Sequence, residues 1–206
     1  ANKEFEAAYQ AGADIACIIA ATSDEEIKKA VAVARRYNRK VMADLIGLRD
    51  HTGEEGVIRR AKELEALGVD YICYHVPIDD QVRGKEVPPE SVRNICYAVS
   101  TPVACAGGIN LQTAANIVKA GAKIIIVGGA ITKAENPKEV TTKIKEVISE
   151  GNIFASIAQE TILILSQHLK IVAQNLDDEI VSLTANLTLQ ALKESKRIAF
   201  AGAGRS

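Results

Sequence analysis

Two pairs of adjacent glycines, Gly107–Gly108 and Gly128–Gly129, stand where two apolar runs of the sequence end. Glycine has no Cβ, so the backbone N–H groups of such loops can approach a ligand closely. Asn110 and Thr132 follow the two pairs and are residue types typical of helix N-caps. Because free N–H groups at a helix N-terminus attract phosphate, we predict that these four glycines hold a phosphate group. The alternative interpretation is two tight turns that bind no ligand.

Three polar side chains could supply further chemistry. His75 ends an apolar run, and a histidine at such a position can move a proton near neutral pH. Asp44 lies inside another apolar run, so we expect it to meet a lysine or Mg²⁺. Arg83, in the long loop 77–89, could contact the phosphate as a paired donor. The alternatives are a histidine bonded to a loop carbonyl, a carboxylate that accepts from loop N–H groups, and a solvated arginine.

Strands and helices must alternate to position these residues. The recurring Gly-containing junctions at Gly12, Gly68 and Gly121 each join a helix to an apolar run, which indicates a buried parallel sheet. We predict an α/β fold of the (β/α)8 TIM-barrel type over residues 1–150, with five C-terminal βα units visible and three strands expected before Ala1. An open doubly wound sheet is the alternative. The predicted strands are 15–20, 40–47, 69–76 and the two apolar runs before the glycine pairs, and the predicted helices are 3–11, one capped by Ser23, 54–67, 90–99 and 136–150.

The pattern changes after Gly151. Residues 153–175 and 178–194 read as two apolar-rich helices, and 196–201 reads as a strand that leads into Gly202–Ser206. This order predicts a helical segment followed by the start of a second α/β domain over residues 151–206. A helical arm that packs on the barrel or mediates dimerisation is the alternative.

Composition excludes some classes of partner. The formal net charge of −1 gives no overall field that favours nucleic acid or an anionic membrane. The sequence contains no run of about 18 apolar residues, so it predicts no transmembrane helix. The four cysteines show no metal-ligand spacing, so we expect structural roles and a reducing, cytoplasmic environment. Three of them, Cys17, Cys73 and Cys105, lie in strand-like runs and are expected to be buried.

Four motifs in this order resemble the 3-hexulose-6-phosphate synthase family of the orotidine-5′-phosphate decarboxylase superfamily. They are 41–47, 74–81, 103–110 and 126–132. The resemblance covers about residues 1–150. The Gly-Ala-Gly-Arg-Ser sequence at the C-terminus is similar to the first sugar-phosphate loop of 6-phospho-3-hexuloisomerase, a sugar isomerase (SIS) fold, in which Gly204 and Ser206 would contact the phosphate.

The resemblance implies a Mg²⁺-dependent aldol reaction between formaldehyde and ribulose 5-phosphate, or its reverse. His75 and Asp44 would be the catalytic residues within this chain, while the metal ligands are expected upstream of it, so none is assigned here. It also implies a homodimer and a fused synthase–isomerase. A decarboxylase of 3-keto-gulonate 6-phosphate is an alternative, although that family usually places an arginine after the glycine of the last strand, where this chain has Gly129-Ala130-Ile131-Thr132. A catalytically incomplete binding or assembly fragment is the other alternative.

Overall fold

The computed structural model describes residues 2–149. The expectations for residues 151–206, including the sugar-phosphate loop with Gly204 and Ser206, therefore lie outside the described residues. The strands are β1 (Ile15–Ile19), β2 (Lys40–Asp44), β3 (Tyr71–His75), β4 (Val103–Ala106) and β5 (Ile124–Ile126). The helices are α1 (Asn2–Gln10), α2 (Asp24–Arg36), α3 (Leu48–Ala66), α4 (Ile78–Val82), α5 (Pro89–Ala98), α6 (Ala114–Lys119), α7 (Gly129–Thr132) and α8 (137–149).

All five strands are parallel, and their order in the sheet follows the sequence, β1-β2-β3-β4-β5. A doubly wound sheet reverses its strand order at a switch point, whereas a barrel adds each new strand beside the last. The observed order therefore confirms the barrel-type α/β fold. Right-handed crossovers place the helices on one face of such a sheet.

The two faces of the sheet carry different side chains because successive residues of a strand point to opposite sides. Val41, Ile72 and Val103 belong to the large core between sheet and helices. On the other face, Met42, Cys73, Ala104 and Ala106 form a small separate apolar cluster. The strand register puts Asp44 and His75 on this second face, at the carboxyl ends of β2 and β3.

The predicted burial of the strand cysteines holds for two of them. Cys73 and Cys105 are buried, and burial raises the pKa of both thiols, that of Cys105 to about 12, so they act as small apolar residues. The prediction is wrong for Cys17, which is exposed. The reason is that β1 pairs with a strand on one side only within the described part of the chain, and Ile19 beside it is also exposed.

Helix boundaries follow the local capping chemistry. Ser23 caps α2 as predicted, since its side chain accepts a hydrogen bond from the Glu26 N–H. Helix α3 begins at Leu48, earlier than predicted, and contains a break at Gly53, where φ is +66°. The N-cap predicted at Thr132 is wrong, because Thr132 ends the short helix α7 that begins at Gly129.

None of the helices within residues 2–149 combines the length and apolar character needed to cross a bilayer.

Candidate active site

The Asp44 carboxylate and the His75 imidazole meet at the carboxyl edge of the sheet. Asp44 Oδ2 lies 2.9 Å from His75 Nδ1, and both side chains are about three-quarters buried, with 22% and 28% of their surfaces exposed. The second oxygen, Oδ1, accepts a hydrogen bond from the Ile46 N–H at 3.0 Å. The sequence predicted that these two residues share this edge, but it predicted a lysine or Mg²⁺ as the partner of Asp44, and the structure gives it a histidine.

This contact indicates which nitrogen of the His75 imidazole carries the proton. An ionised carboxylate only accepts hydrogen bonds, so His75 Nδ1 carries the proton in the pair. The neutral ring then has its lone pair on Nε2, which can take up a proton, and the Asp44 charge stabilises the imidazolium that results. The arrangement is suited to proton transfer at Nε2, with Asp44 as the residue that orients the ring.

A cavity of about 540 Å³ opens beside His75, between the loops that follow β2 and β3. Its wall is rich in charge. Arg49 donates to the buried Tyr74 hydroxyl at 3.2 Å and lies 3.7 Å from the carboxylate of Glu54, which also accepts from Ser91. The charged residues in its lining are Arg49, Asp50, Glu54, Asp80, Lys85 and Glu86.

The loop after β3 contributes Lys85 to this cavity. Lys85 Nζ lies 2.9 Å from the buried carboxylate of Asp80, which belongs to the short helix α4. Arg83, the residue that the sequence indicated, is outside the lining, with 73% of its side chain exposed and a distance of 3.9 Å to Asp80. The sequence alone does not indicate whether Lys85 or Arg83 lines the cavity, because this depends on the position of helix α4.

Gly107 and Gly108 follow β4 and are packed against the end of β3. Gly107 has φ of +95°, and a Cβ there would clash with the carbonyl oxygen of Val76. Gly108 has φ of +70° and lies against the side chain of Gln81. Both glycines are therefore required by the backbone geometry itself, whether or not a ligand is bound.

Gly128 and Gly129 are in a different environment. Both are exposed and have no positive φ, a Cβ on Gly128 would meet no atom within 4 Å, and one on Gly129 would meet only the end of Lys133 at 3.9 Å. None of the four glycines donates its N–H to a backbone carbonyl elsewhere in residues 2–149. The pairing of Ala106 with Ile126 brings the two glycine loops to the same edge of the sheet, as the prediction that all four glycines contact one phosphate requires.

The described residues do not form a magnesium site on their own. Within residues 2–149, no group of three His, Cys, Asp or Glu side chains is placed to hold a metal ion. Asp44 already uses one oxygen for His75 and the other for the Ile46 N–H.

Comparison with known proteins places this site in a family. Bacillus subtilis 3-hexulose-6-phosphate synthase is 39% identical over 150 residues, which cover 72% of this chain and 68% of that protein. A Staphylococcus saprophyticus protein named 3-hexulose-6-phosphate synthase 2 is 36% identical, with coverage of 72% and 67%. The match thus extends over about two thirds of each relative.

Solved structures similar to this chain include a protein of the same name as these relatives. The 3-hexulose-6-phosphate synthase of Salmonella typhimurium superposes with a TM-score of 0.66 at 27% identity, covering 73% of this chain and 69% of that one. KGPDC from Streptococcus mutans has a TM-score of 0.64 over 72% and 67% of the chains, but its 19% identity supports the shared fold alone. A sequence profile matches residues 1–144, and the chain belongs to the orotidine 5'-phosphate decarboxylase / HUMPS family.

Proposed function

We propose that this chain carries out the 3-hexulose-6-phosphate synthase reaction, the aldol condensation of formaldehyde with ribulose 5-phosphate or its reverse. The observation that carries the proposal is the 39% identity over 150 residues to a relative of that name. The family match over residues 1–144 includes Asp44, His75 and the glycine loops. The 19% identity to KGPDC concerns the fold alone and does not support the decarboxylase alternative.

In this reaction a base removes a proton from C1 of ribulose 5-phosphate, next to the keto group. The resulting enediolate carbon forms a bond to the carbon of formaldehyde, and the formaldehyde oxygen takes up a proton. In this proposal His75 moves the protons at Nε2, a role supported by the 2.9 Å contact that holds Nδ1 against Asp44. Asp44 orients the imidazole and stabilises its charged form.

The glycine loops provide the handle on the substrate. Their free N–H groups lie at the same edge of the sheet as His75, so a phosphate held there would position the sugar for proton transfer. Arg83 remains a proposed additional phosphate contact, which would require its exposed side chain to turn toward the loops. Mg²⁺, which would stabilise the enediolate charge, enters the proposal through the family resemblance alone, and its ligands are not among the described residues.

Two features of the proposal concern the whole protein. The family resemblance implies a homodimer, which sedimentation of the purified protein would test, and the absence of metal-ligand spacing among the four cysteines favours a cytoplasmic location. The isomerase segment proposed for residues 151–206 rests on the Gly202–Ser206 motif. Conversion of 3-hexulose 6-phosphate to its 2-keto isomer by the same protein would support a bifunctional synthase–isomerase.

The deciding experiment is an assay of the full-length protein with ribulose 5-phosphate, formaldehyde and Mg²⁺. We expect loss of formaldehyde together with formation of 3-hexulose 6-phosphate. A parallel assay with 3-keto-gulonate 6-phosphate tests the decarboxylase alternative by release of CO₂. Ribulose 5-phosphate binding without either product, at any Mg²⁺ concentration, would reject the proposal in favour of a binding or assembly fragment.

A further inference from the structure

The hydrogen-bond ladder between β3 and β4 stops one step earlier than its register allows. The Ile72 N–H donates to the Pro102 carbonyl, and the Val76 N–H donates to the Ala106 carbonyl at 3.1 Å. In a parallel ladder the two strands donate in alternation. The next bond in this register would run from the Gly108 N–H to the carbonyl of Val76.

A side chain takes the place of that bond. The amide Nε2 of Gln81 donates to the Val76 carbonyl at 2.8 Å, while the Gly108 N–H has no backbone acceptor within residues 2–149. Gly107 and Gly108 both have positive φ angles, so the chain leaves the extended strand conformation at this point. The Gln81 side chain thus ends the ladder, and the Gly108 N–H, which would have made the next ladder bond, does not take part in it.

Gln81 is held in place by its surroundings. Its own N–H donates to the Pro77 carbonyl at 3.0 Å, which fixes it in the short helix α4. Its side chain lies against the first glycine loop: a Cβ built on Gly107 would be 3.1 Å from Nε2, and one on Gly108 would be 3.6 Å from Cγ. The residue therefore contacts both the strand end that carries His75 and the loop proposed to bind phosphate.

We propose that Gln81 is a positioning residue for phosphate binding. By satisfying the Val76 carbonyl, it prevents the Gly108 N–H from completing the ladder and leaves that N–H available to a phosphate oxygen. The physical basis is that a backbone carbonyl at a strand end needs a donor, and the nearest competing donor is the N–H on which the ligand depends. The inference rests on the proposed role of the glycine loops in binding the substrate phosphate.

The test uses two substitutions and a matched control in the full-length protein. Gln81→Met removes the donor and keeps the length of the side chain, and Gln81→Glu keeps the shape and removes the N–H groups. Gln112→Met is the control, since Gln112 is exposed and its side chain makes no hydrogen bond in the described part of the chain. The measurements are the Kd for inorganic phosphate and the KM and kcat for ribulose 5-phosphate.

We expect both Gln81 variants to weaken phosphate binding and to raise KM about tenfold, while kcat changes less than about threefold. A tenfold change corresponds to the loss of one charge-assisted hydrogen bond between the protein and the phosphate. The control should match the wild type. A purely structural role would lower the melting temperature and leave the Kd of the folded fraction unchanged, and that result would overturn the inference. So would a wild-type protein that fails to bind phosphate at all.

The outcome is separable from that of the proposed function. If the wild type binds phosphate but forms no 3-hexulose 6-phosphate, the proposed reaction fails. The phosphate Kd of the two Gln81 variants still decides whether this residue prepares the glycine loop.

Discussion

The Asp44 carboxylate and the His75 imidazole lie on neighbouring strands and are joined by a 2.9 Å hydrogen bond at the carboxyl edge of the sheet. The parallel register pairs Asp44 with Cys73, so His75 projects from the same face two residues further along β3. The carboxylate is held in turn by the Ile46 N–H. The pair is therefore a pre-oriented unit, and its two members should depend on each other in catalysis.

Replacing Asp44 by asparagine should lower kcat for the synthase reaction by about 10² or more. The amide keeps the size of the side chain but removes the charge that stabilises the imidazolium, and it can also favour the wrong tautomer. KM should change less than about threefold. Asp14→Asn is the control, since Asp14 is 80% exposed and precedes β1, at the other edge of the sheet. A kcat equal to wild type would remove Asp44 from the mechanism.

Combining Asp44→Asn with His75→Gln should reduce kcat no further than His75→Gln does alone. If Asp44 acts only by orienting and stabilising the His75 ring, it has no role once that ring is gone. Steady-state kinetics of the wild type, both single variants and the double variant complete the cycle. Multiplicative losses would mean instead that Asp44 acts independently of His75.

The sequence indicates the edge of the sheet at which the chemistry lies, because polar residues at the ends of apolar runs can be read directly. It does not indicate which side chains touch. The contact of Asp44 with His75 depends on the pairing of β2 with β3, and the choice of Lys85 over Arg83 depends on a five-residue helix inside a predicted loop. The apolar run around Cys17 reads like the others, and it takes the strand order to show that β1 has a single neighbouring strand within residues 2–149.

Lys85→Met should destabilise the fold by about 1 to 2 kcal/mol, because it leaves the buried carboxylate of Asp80 without its close partner at 2.9 Å. Arg83→Met is the matched control and should cost less than about 0.5 kcal/mol, since that side chain is 73% exposed and 3.9 Å away. Urea denaturation of both variants measures the difference, and equal costs would contradict it. A raised KM in Arg83→Met without loss of stability would support the predicted phosphate contact of Arg83.

Glu65→Gln should lower stability at pH 7 by about 1 kcal/mol, an amount already reduced for partial exposure. Glu65 accepts hydrogen bonds from the Thr101 and Ser100 N–H groups, and these lower its pKa in the folded state. A lowered pKa adds stability that is present above the unfolded value of about 4.3 and is lost as pH falls through the folded value.

The difference between wild type and Glu65→Gln should therefore shrink as pH falls below the unfolded value of about 4.3, and disappear once the wild-type carboxyl is protonated in the folded state. Unfolding in urea at a series of pH values measures it. Glu55→Gln, an exposed position on the same helix, is the control and should show little effect at any pH. A difference that stays the same across the whole acidic range would show that shape, not charge, accounts for it.

Gly107→Ala and Gly129→Val should separate the two reasons for a glycine in these loops. Gly107→Ala should cost about 2 to 4 kcal/mol of stability, because φ is +95° and the new Cβ clashes with the Val76 carbonyl.

Gly129→Val should change stability by less than about 1 kcal/mol, since its first contact is the end of Lys133 at 3.9 Å. It should nevertheless raise KM for ribulose 5-phosphate about tenfold or more, because the branched side chain fills the space beside the free N–H groups. An unchanged KM in Gly129→Val would place the substrate phosphate elsewhere.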